Sequence, residues 1–268
     1  MKGCSPRFVW QFAVSVACAV LLPSHAVAQD RRIAPSELRS GVEFAGADVR
    51  AMQADEFANP GMLWVERGQK LWNETTGAAG KSCASCHGDA AQAMRGVATH
   101  YPAYDSASRR MTNLATRISD CRVRHQKAPA LQPESEDLLA LSAYVAHQSH
   151  GMPMAVRVDG PAKSSFERGG AFYYQRHGQM NISCAQCHEQ NWGKQLLRET
   201  ISQGHGTAFP AYRLEWQALG SLQRRLRACL FGVRAEMPPM GAPELLDLEL
   251  FLAWRAEGLP VETPGVRR

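Results

Sequence analysis

Beyond about residue 28 the sequence lacks an apolar run long enough to span a bilayer, which excludes a membrane-spanning segment in that part of the chain. The sequence also lacks a large excess of one charge. Its formal net charge is +5 over 268 residues, and two of the positive charges, Lys2 and Arg7, lie at its start. Such a mildly basic balance is not typical of a nucleic-acid-binding protein, so we expect neither nucleic acid nor a membrane anchor among its partners.

The first 28 residues have the pattern of a cleaved signal peptide. Lys2 and Arg7 form a short basic start, residues 8–23 form an apolar run, and small residues follow up to Ala28. The apolar run is too short for a membrane anchor, and a retained amphipathic helix is the alternative. We therefore predict a signal peptide at residues 1–28 and a mature protein that is exported to the periplasm.

Two short motifs of the form Cys-x-x-Cys-His supply the main chemical signal. This spacing is the signature of c-type haem attachment, because each thiol adds to one vinyl group of the porphyrin and the histidine becomes the proximal iron ligand. Two zinc sites or two redox disulfides are the alternatives, but no second ligand pair at short spacing follows either motif, as a zinc knuckle would require. We predict two covalent haems, held by Cys83, Cys86 and His87 in the first motif and by Cys184, Cys187 and His188 in the second.

The sequence around the two motifs is repeated. Glu-Arg-Gly at 66–68 precedes the first motif and Glu-Arg-Gly at 167–169 precedes the second. Residues 137–153 and 244–260 also match each other, and the spacing of their apolar residues predicts one buried helix face in each half. A helix, a haem motif, an irregular stretch and a closing helix that crosses the first form the plan of a class I cytochrome c domain.

We therefore predict a mainly α fold made of two tandem class I cytochrome c-like domains with much irregular structure. The first domain, with haem one, is expected at residues 63–154, and the second, with haem two, at residues 164–268. Residues 153–161 are predicted to form a linker. Residues 29–62 are interpreted as an N-terminal arm that packs on the domains or on a partner.

Each haem iron needs a sixth ligand or an open site. Cys121 and Cys229 occupy the same place in the two halves, and each follows an arginine by four residues, Arg117 and Arg225. Thiolate binds ferric iron well and lowers its potential, so we predict both cysteines as distal ligands. Methionine ligation of haem two, a disulfide between the two cysteines and histidine ligation stay open as alternatives, with the candidates Met237, Met240, His100, His125 and His205.

These features together resemble the SoxA family, the dihaem cytochrome subunits of SoxAX complexes in periplasmic thiosulfate-oxidising systems. The resemblance covers nearly the whole mature chain. It rests on NPGMLWVERGQKLW at 59–72, on the two intact haem motifs, and on RRLRACLFGVR at 224–234 with the MPPMG segment that follows it.

The resemblance implies axial ligands and catalytic residues. It pairs His87 with Cys121 and His188 with Cys229, makes Cys229 a catalytic cysteine persulfide, and makes Arg225 a substrate-binding residue. The physics of the last pair agrees, because residues four apart share one face of a helix. A guanidinium beside the sulfur favours the thiolate, and its forked donors suit the oxygens of thiosulfate.

The activity that the resemblance implies is an L-cysteine S-thiosulfotransferase reaction. Thiosulfate is joined oxidatively to a cysteine of a SoxYZ-type sulfur-carrier protein, and two electrons pass through haem to a downstream cytochrome c. A monohaem SoxX-type subunit is expected as the partner in a heterodimer, with the active site in the second domain. Two alternatives remain. A dihaem electron carrier would have a Met-ligated haem two and a sulfur-free Cys229, and a tetrathionate-forming thiosulfate dehydrogenase would need no carrier protein.

Overall fold

The computed structural model of the chain describes residues 33–268 together with Met1, so the predicted signal peptide, apart from Met1, lies outside the described residues. Within the described part, no helix is both long enough and apolar enough to cross a membrane. Residues 33–268 lie within one compact unit.

Helices dominate the regular structure, as the sequence predicts. They are α1 Ala47–Ala54, α2 Met62–Asn73, α3 Ala84–His87, α4 Ala90–Ala93, α5 Leu114–Cys121, α6 Glu136–His147, α7 Lys163–Tyr174, α8 Cys184–His188, α9 Leu222–Gly232 and α10 Pro243–Arg255. Short 3-10 turns lie at Pro35–Glu37, Gly41–Phe44, Val97–His100 and Gly160–Ala162, and a π-helical turn follows α5 at Arg122–Gln126.

Within residues 33–268, seven short strands form small sheets between the helices. The strands are β1 Ala103–Asp105, β2 Arg110–Thr112, β3 Gln195–Leu196, β4 Glu199–Thr200, β5 Ala211–Arg213, β6 Ala218–Gly220 and β7 Gly265–Arg267. Antiparallel hairpins pair β1 with β2, β3 with β4, and β5 with β6, while β7 runs parallel to β5 on its other edge.

Two helix crossings form the framework of the fold, one in each repeat. In the first, α2 packs against α6, and a Cβ on Gly68 would lie 2.2 Å from the Ala140 carbonyl oxygen. In the second, α7 packs against α10, and a Cβ on Gly169 would lie 2.0 Å from the Asp247 carbonyl oxygen. Only glycine fits such close backbone contacts, which explains why the repeated Glu-Arg-Gly segments keep this residue.

Between the crossing helices, each repeat contains a hairpin followed by a helix. The hairpin β1–β2 leads into α5, which is capped by the Asn113 side chain accepting from the Thr116 amide at 2.9 Å. The hairpin β5–β6 leads into α9, which is capped by Ser221 accepting from the Arg224 amide at 3.1 Å. The structural repeat therefore extends through the stretch that the sequence predicts as irregular.

The predicted linker is bound to both repeats. The Met154 amide donates to the Leu259 carbonyl and the Ala155 amide donates to the Thr99 carbonyl, each at 2.9 Å. Asn113 of the first repeat also donates to the buried Glu249 of the second at 2.9 Å. These contacts hold the two repeats against each other within one unit.

The segment before α2 packs on the C-terminal end of the chain. Asn59 donates through Nδ2 to the Pro264 carbonyl at 2.8 Å, and Gln53 accepts from the Val266 amide at 3.0 Å. The buried Gln203 accepts from the Arg39 amide at 2.8 Å, so this arm also reaches the loop that follows the second haem motif.

Candidate haem and cysteine site

The first Cys-x-x-Cys-His motif forms the short helix α3 beneath α2. Cys83 is half-buried and Cys86 is exposed. The Trp72 indole lies with its ring centroid 5.8 Å from that of His87, and its Nε1 donates to the Gly88 carbonyl at 3.0 Å. The buried end of α2 therefore positions the motif and its histidine.

The second motif forms α8 and holds its histidine more tightly. The Nδ1 atom of His188 lies 2.7 Å from the Ser202 carbonyl oxygen, so Nδ1 carries the proton and Nε2 keeps its lone pair. Gly204, at φ 76°, approaches the ring so closely that a Cβ would lie 2.8 Å from Cγ. Burial lowers the pKa of His188 to about 4. A neutral, oriented imidazole of this kind is suited to bind iron.

The two cysteines predicted as distal ligands lie beside the two motifs. Burial raises the pKa of Cys83, and the charge of nearby Cys121 contributes to that shift. Burial likewise raises the pKa of Cys184 to about 12 and also raises the pKa of Cys187. The charge of Cys229 raises both pKa values further. The structure therefore places each cysteine near the attachment motif of its own repeat.

Each of these cysteines shares a helix with the arginine four residues before it. Arg117 and Cys121 lie in α5, and Cys121 is the last residue of that helix, at the start of the π-helical turn. Arg225 and Cys229 lie within α9, and both are half-buried. The spacing places arginine and cysteine on one helix face in both repeats.

The alternative ligands have different surroundings. None of the six cysteines in the described part of the chain forms a disulfide. Met237 is exposed and Met240 is half-buried in the loop before α10. His100 and His125 are exposed, whereas His205 is buried with Nε2 3.1 Å from Oε1 of Gln203.

The two arginines occupy equivalent positions in the sequence but differ in their partners. Arg117 donates to the Asp105 carboxylate at 2.9 Å and to the Tyr101 hydroxyl at 3.3 Å. Hydrogen bonds from Ser108 and Arg117 hold the pKa of Asp105 below its usual range. The guanidinium of Arg225, by contrast, makes no hydrogen bond or ion pair with residues 33–268, and only its backbone amide donates, to the Ser221 carbonyl at 3.3 Å.

The reason for this difference lies at the end of the preceding strand. Asp105 is the last residue of β1, and the last residue of β5 is Arg213. Repeat two thus carries a cation where repeat one carries the carboxylate that pairs with the helix arginine. The spacing that relates Arg117 to Arg225 also relates Asp105 to Arg213, so extending the sequence alignment to the hairpin would have revealed the change.

The residues around the motifs fit a covalently attached haem. Tyr173 is fully buried, and its hydroxyl has no hydrogen-bond partner among the described residues, as expected where a further polar group completes the site. Attachment can come from the thiols of Cys184 and Cys187, and iron ligation from the oriented Nε2 of His188. Gly204 leaves the space beside the imidazole that a side chain would fill.

The crossing helices and the Cys-x-x-Cys-His motifs define a c-type cytochrome, and residues 67–154 match the family model described as SoxA/TsdA, cytochrome c domain. The L-cysteine S-thiosulfotransferase subunit SoxA of Pseudaminobacter salicylatoxidans is 44% identical over 230 residues, which are 85% of this chain and 80% of that protein. The subunit of the same name from Rhodovulum sulfidophilum is 38% identical over 231 residues, 86% of this chain and 80% of that protein. The chain belongs to the SoxA family.

A solved structure has the same fold. The crystal structure of SoxXA from P. pantotrophus matches with a TM-score of 0.83 at 34% sequence identity, and the match covers 86% of this chain and 87% of that one. The expected cytochrome c fold is therefore confirmed over most of the described residues.

Proposed function

We propose that the protein is the dihaem, catalytic subunit of a periplasmic L-cysteine S-thiosulfotransferase. The names of the relatives support the activity, and the match to the SoxXA structure supports a heterodimer with a SoxX-type monohaem cytochrome. The N-terminal segment 1–28 is proposed as a cleaved export signal. Residues 63–154 and 164–268 are proposed as the two haem domains, with the active site in the second.

Two covalent haems are proposed, one on each motif. Cys83 and Cys86 would attach haem one, with His87 and Cys121 as its axial ligands. The placement of Cys121 beside the first motif supports this assignment. When bound, c-type haem supplies a one-electron acceptor that passes electrons onward.

The second motif would attach haem two in the same way. Cys184 and Cys187 would form the thioether bonds, and His188 and Cys229 would be the axial ligands. The proton on Nδ1 of His188, held by the Ser202 carbonyl, leaves Nε2 for iron. The placement of Cys229 beside Cys184 and Cys187 supports its assignment as the distal ligand.

The proposed reaction forms one sulfur–sulfur bond. The outer sulfur of thiosulfate joins the cysteine sulfur of a SoxYZ-type carrier protein, which yields a cysteine S-thiosulfonate. The carrier thiol loses one proton, and two electrons leave for the SoxX-type subunit and then for a downstream cytochrome c. Cys229, proposed as a persulfide in its resting form, would bond through its terminal sulfur to the outer sulfur of thiosulfate as the two electrons leave. The carrier thiolate would then attack that outer sulfur, which forms the cysteine S-thiosulfonate and restores the Cys229 persulfide.

Arg225 is the proposed substrate-binding residue. Its guanidinium has no counter-ion among residues 33–268, it lies one helical turn from Cys229, and it is half-buried, where water screens charge less than at the surface. A dianion such as thiosulfate would supply the missing counter-charge through forked hydrogen bonds. The observation that carries the proposal is this unpaired arginine beside Cys229, set against the paired Arg117 of repeat one.

Arg225→Ala is expected to lower kcat/KM for thiosulfate by about 30- to 150-fold, which corresponds to the loss of about 2–3 kcal/mol from charged hydrogen bonds. Arg225→Lys should recover only part of this loss, because an ammonium group cannot donate the paired, bidentate hydrogen bonds that a guanidinium gives to two oxygens. The assay is cytochrome c reduction with thiosulfate, carrier protein and the monohaem partner present.

Arg117→Ala is the matched control, since Arg117 holds the same position in repeat one but is bound to Asp105. It should leave kcat/KM within about twofold of the wild-type value. Equal losses in the Arg117 and Arg225 variants would contradict the assignment of the active site to repeat two.

A further inference from the structure

The hairpin before α9 carries a second arginine, Arg213, which is buried. Arg213 ends β5 at the position that Asp105 occupies in repeat one. In repeat one, the 2.9 Å ion pair between Asp105 and Arg117 shows that this hairpin position reaches the arginine of the following helix. The charge at the end of the strand therefore decides whether the helix arginine is neutralised or joined by a second cation.

Arg213 is held rigidly in this position. Its side chain is only 9% exposed, and Nε and Nη2 donate to Glu215 Oε1 at 3.2 and 2.7 Å. Its guanidinium carbon lies 5.0 Å from the Trp216 ring centroid, and that of Arg224 lies 4.1 Å from the same ring. Stacking on the indole and pairing at one edge fix the plane of the Arg213 guanidinium.

Arg213 and Arg224 share the Trp216 ring, and Arg224 directly precedes Arg225, so Arg213 lies at the part of α9 that carries Arg225. Burial lowers the pKa of Arg213, the charge of Arg225 lowers it further, and Cys229 acts on it in the opposite direction. Two guanidiniums brought together in a partly dry site are unfavourable unless an anion lies between them. Glu215 is 55% exposed and binds the Nε and Nη2 edge of Arg213, while Nη1 makes no hydrogen bond to residues 33–268.

We propose that Arg213 is a second thiosulfate-binding residue, which forms with Arg225 a two-arginine clamp for a dianion beside Cys229. This inference rests on the proposed function. Nη1 of Arg213 would donate to a sulfonate oxygen, and Arg225 would bind the same group from the helix side. Two fixed cations favour a dianion over a singly charged or neutral sulfur compound, so the pair contributes to substrate selection. Asp105 prevents repeat one from forming such a clamp.

The test is the KM for thiosulfate in the carrier-dependent assay at low ionic strength, measured on holoprotein with its monohaem partner. Arg213→Gln is expected to raise this KM about tenfold, the loss of one charged hydrogen bond, with a smaller change in kcat. Haem content and Tm serve as controls for folding. Arg157→Gln removes an exposed arginine of the linker region and should leave KM unchanged.

Glu215→Gln distinguishes a substrate-binding role of Arg213 from a purely structural role in its ion pair with Glu215. If Arg213 binds the dianion, removing the Glu215 carboxylate takes away a repulsive charge and should lower KM about two- to threefold. An equal rise of KM in Glu215→Gln and Arg213→Gln would assign Arg213 a structural role and overturn the proposal. If Arg213→Gln does not fold, Glu215→Gln decides alone, and an unchanged or raised KM contradicts the clamp.

Failure of the two-arginine clamp can be distinguished from failure of the proposed function. If Arg225→Ala loses activity while Arg213→Gln keeps its KM within twofold, only the clamp is wrong. If Arg225→Ala keeps full activity, the proposed site is wrong whatever Arg213→Gln shows.

Discussion

Cys229→Ala is expected to reduce carrier-dependent thiosulfate oxidation by on the order of a thousandfold or more, because it removes the sulfur proposed to hold the covalent intermediate. The loss should appear in kcat as well as in kcat/KM, since no other described thiol is paired with an unneutralised arginine. Haem attachment should persist, because Cys184, Cys187 and His188 are unchanged. The measurement is cytochrome c reduction by the reconstituted complex, with haem content determined on the same sample.

Cys121→Ala is the matched variant in repeat one. It should alter the electron paramagnetic resonance signal of haem one, as loss of a thiolate ligand requires, and it should spare most of the turnover. Near-normal turnover in Cys229→Ala would instead favour a simple electron carrier. A clear His/Met signal from haem two in the wild-type protein would promote Met237 or Met240 to the distal position.

Gly169→Ala is expected to have the largest effect on stability. The added Cβ would lie 2.0 Å from the Asp247 carbonyl oxygen, so α7 and α10 would have to separate along the whole crossing. We expect a destabilisation of about 3 kcal/mol or more and a fall in Tm of roughly 6–12 °C. Thermal unfolding of the holoprotein followed by circular dichroism measures it.

Gly232→Ala is the control for the conformational effect of glycine replacement. A Cβ on Gly232, at the end of α9, meets no atom within 4 Å. The free energy of unfolding of this variant should lie within about 1 kcal/mol of the wild-type value, on either side of it. If both glycine variants unfolded alike, the close crossing at Gly169 would be wrong.

Much of the framework could be predicted from the sequence because its signals are local or periodic. The apolar spacing in 137–153 and 244–260 predicts the closing helices, which the structure places at Glu136–His147 and Pro243–Arg255. The Glu-Arg-Gly repeats mark the helices that cross them. The haem motifs can be recognised from the fixed spacing of their cysteines and histidine alone. The structure adds the neutral, oriented imidazole of His188.

Other features could not be predicted because they depend on contacts distant in sequence. The strands of two or three residues are too short to show an alternating pattern, so the hairpins were missed. The hydrogen bonds of Met154 and Ala155, which bind the supposed linker to both repeats, involve backbone atoms that leave no trace in composition. The arm could not be placed either, because its contacts with Gln203 and Pro264 join opposite ends of the chain.

The two repeats differ in the charge that the hairpin presents next to an equivalent helix arginine. Arg117 is paired with Asp105, whereas Arg213 occupies the equivalent hairpin position in the repeat that contains Arg225. We propose that this change of charge separates a repeat suited to electron transfer from a repeat suited to bind a dianion next to a thiol. Reading each repeat alone does not reveal this difference.

Peptide mapping by mass spectrometry tests the central claim most directly. The native complex would be incubated with thiosulfate and oxidised cytochrome c, digested without reductant, and analysed. We expect haem on the peptide with Cys83 and Cys86, haem on the peptide with Cys184 and Cys187, and one additional sulfur atom on Cys229 that a thiol reductant removes. A protein with one haem or none, or a Cys229 that stays unmodified during turnover, would contradict the account.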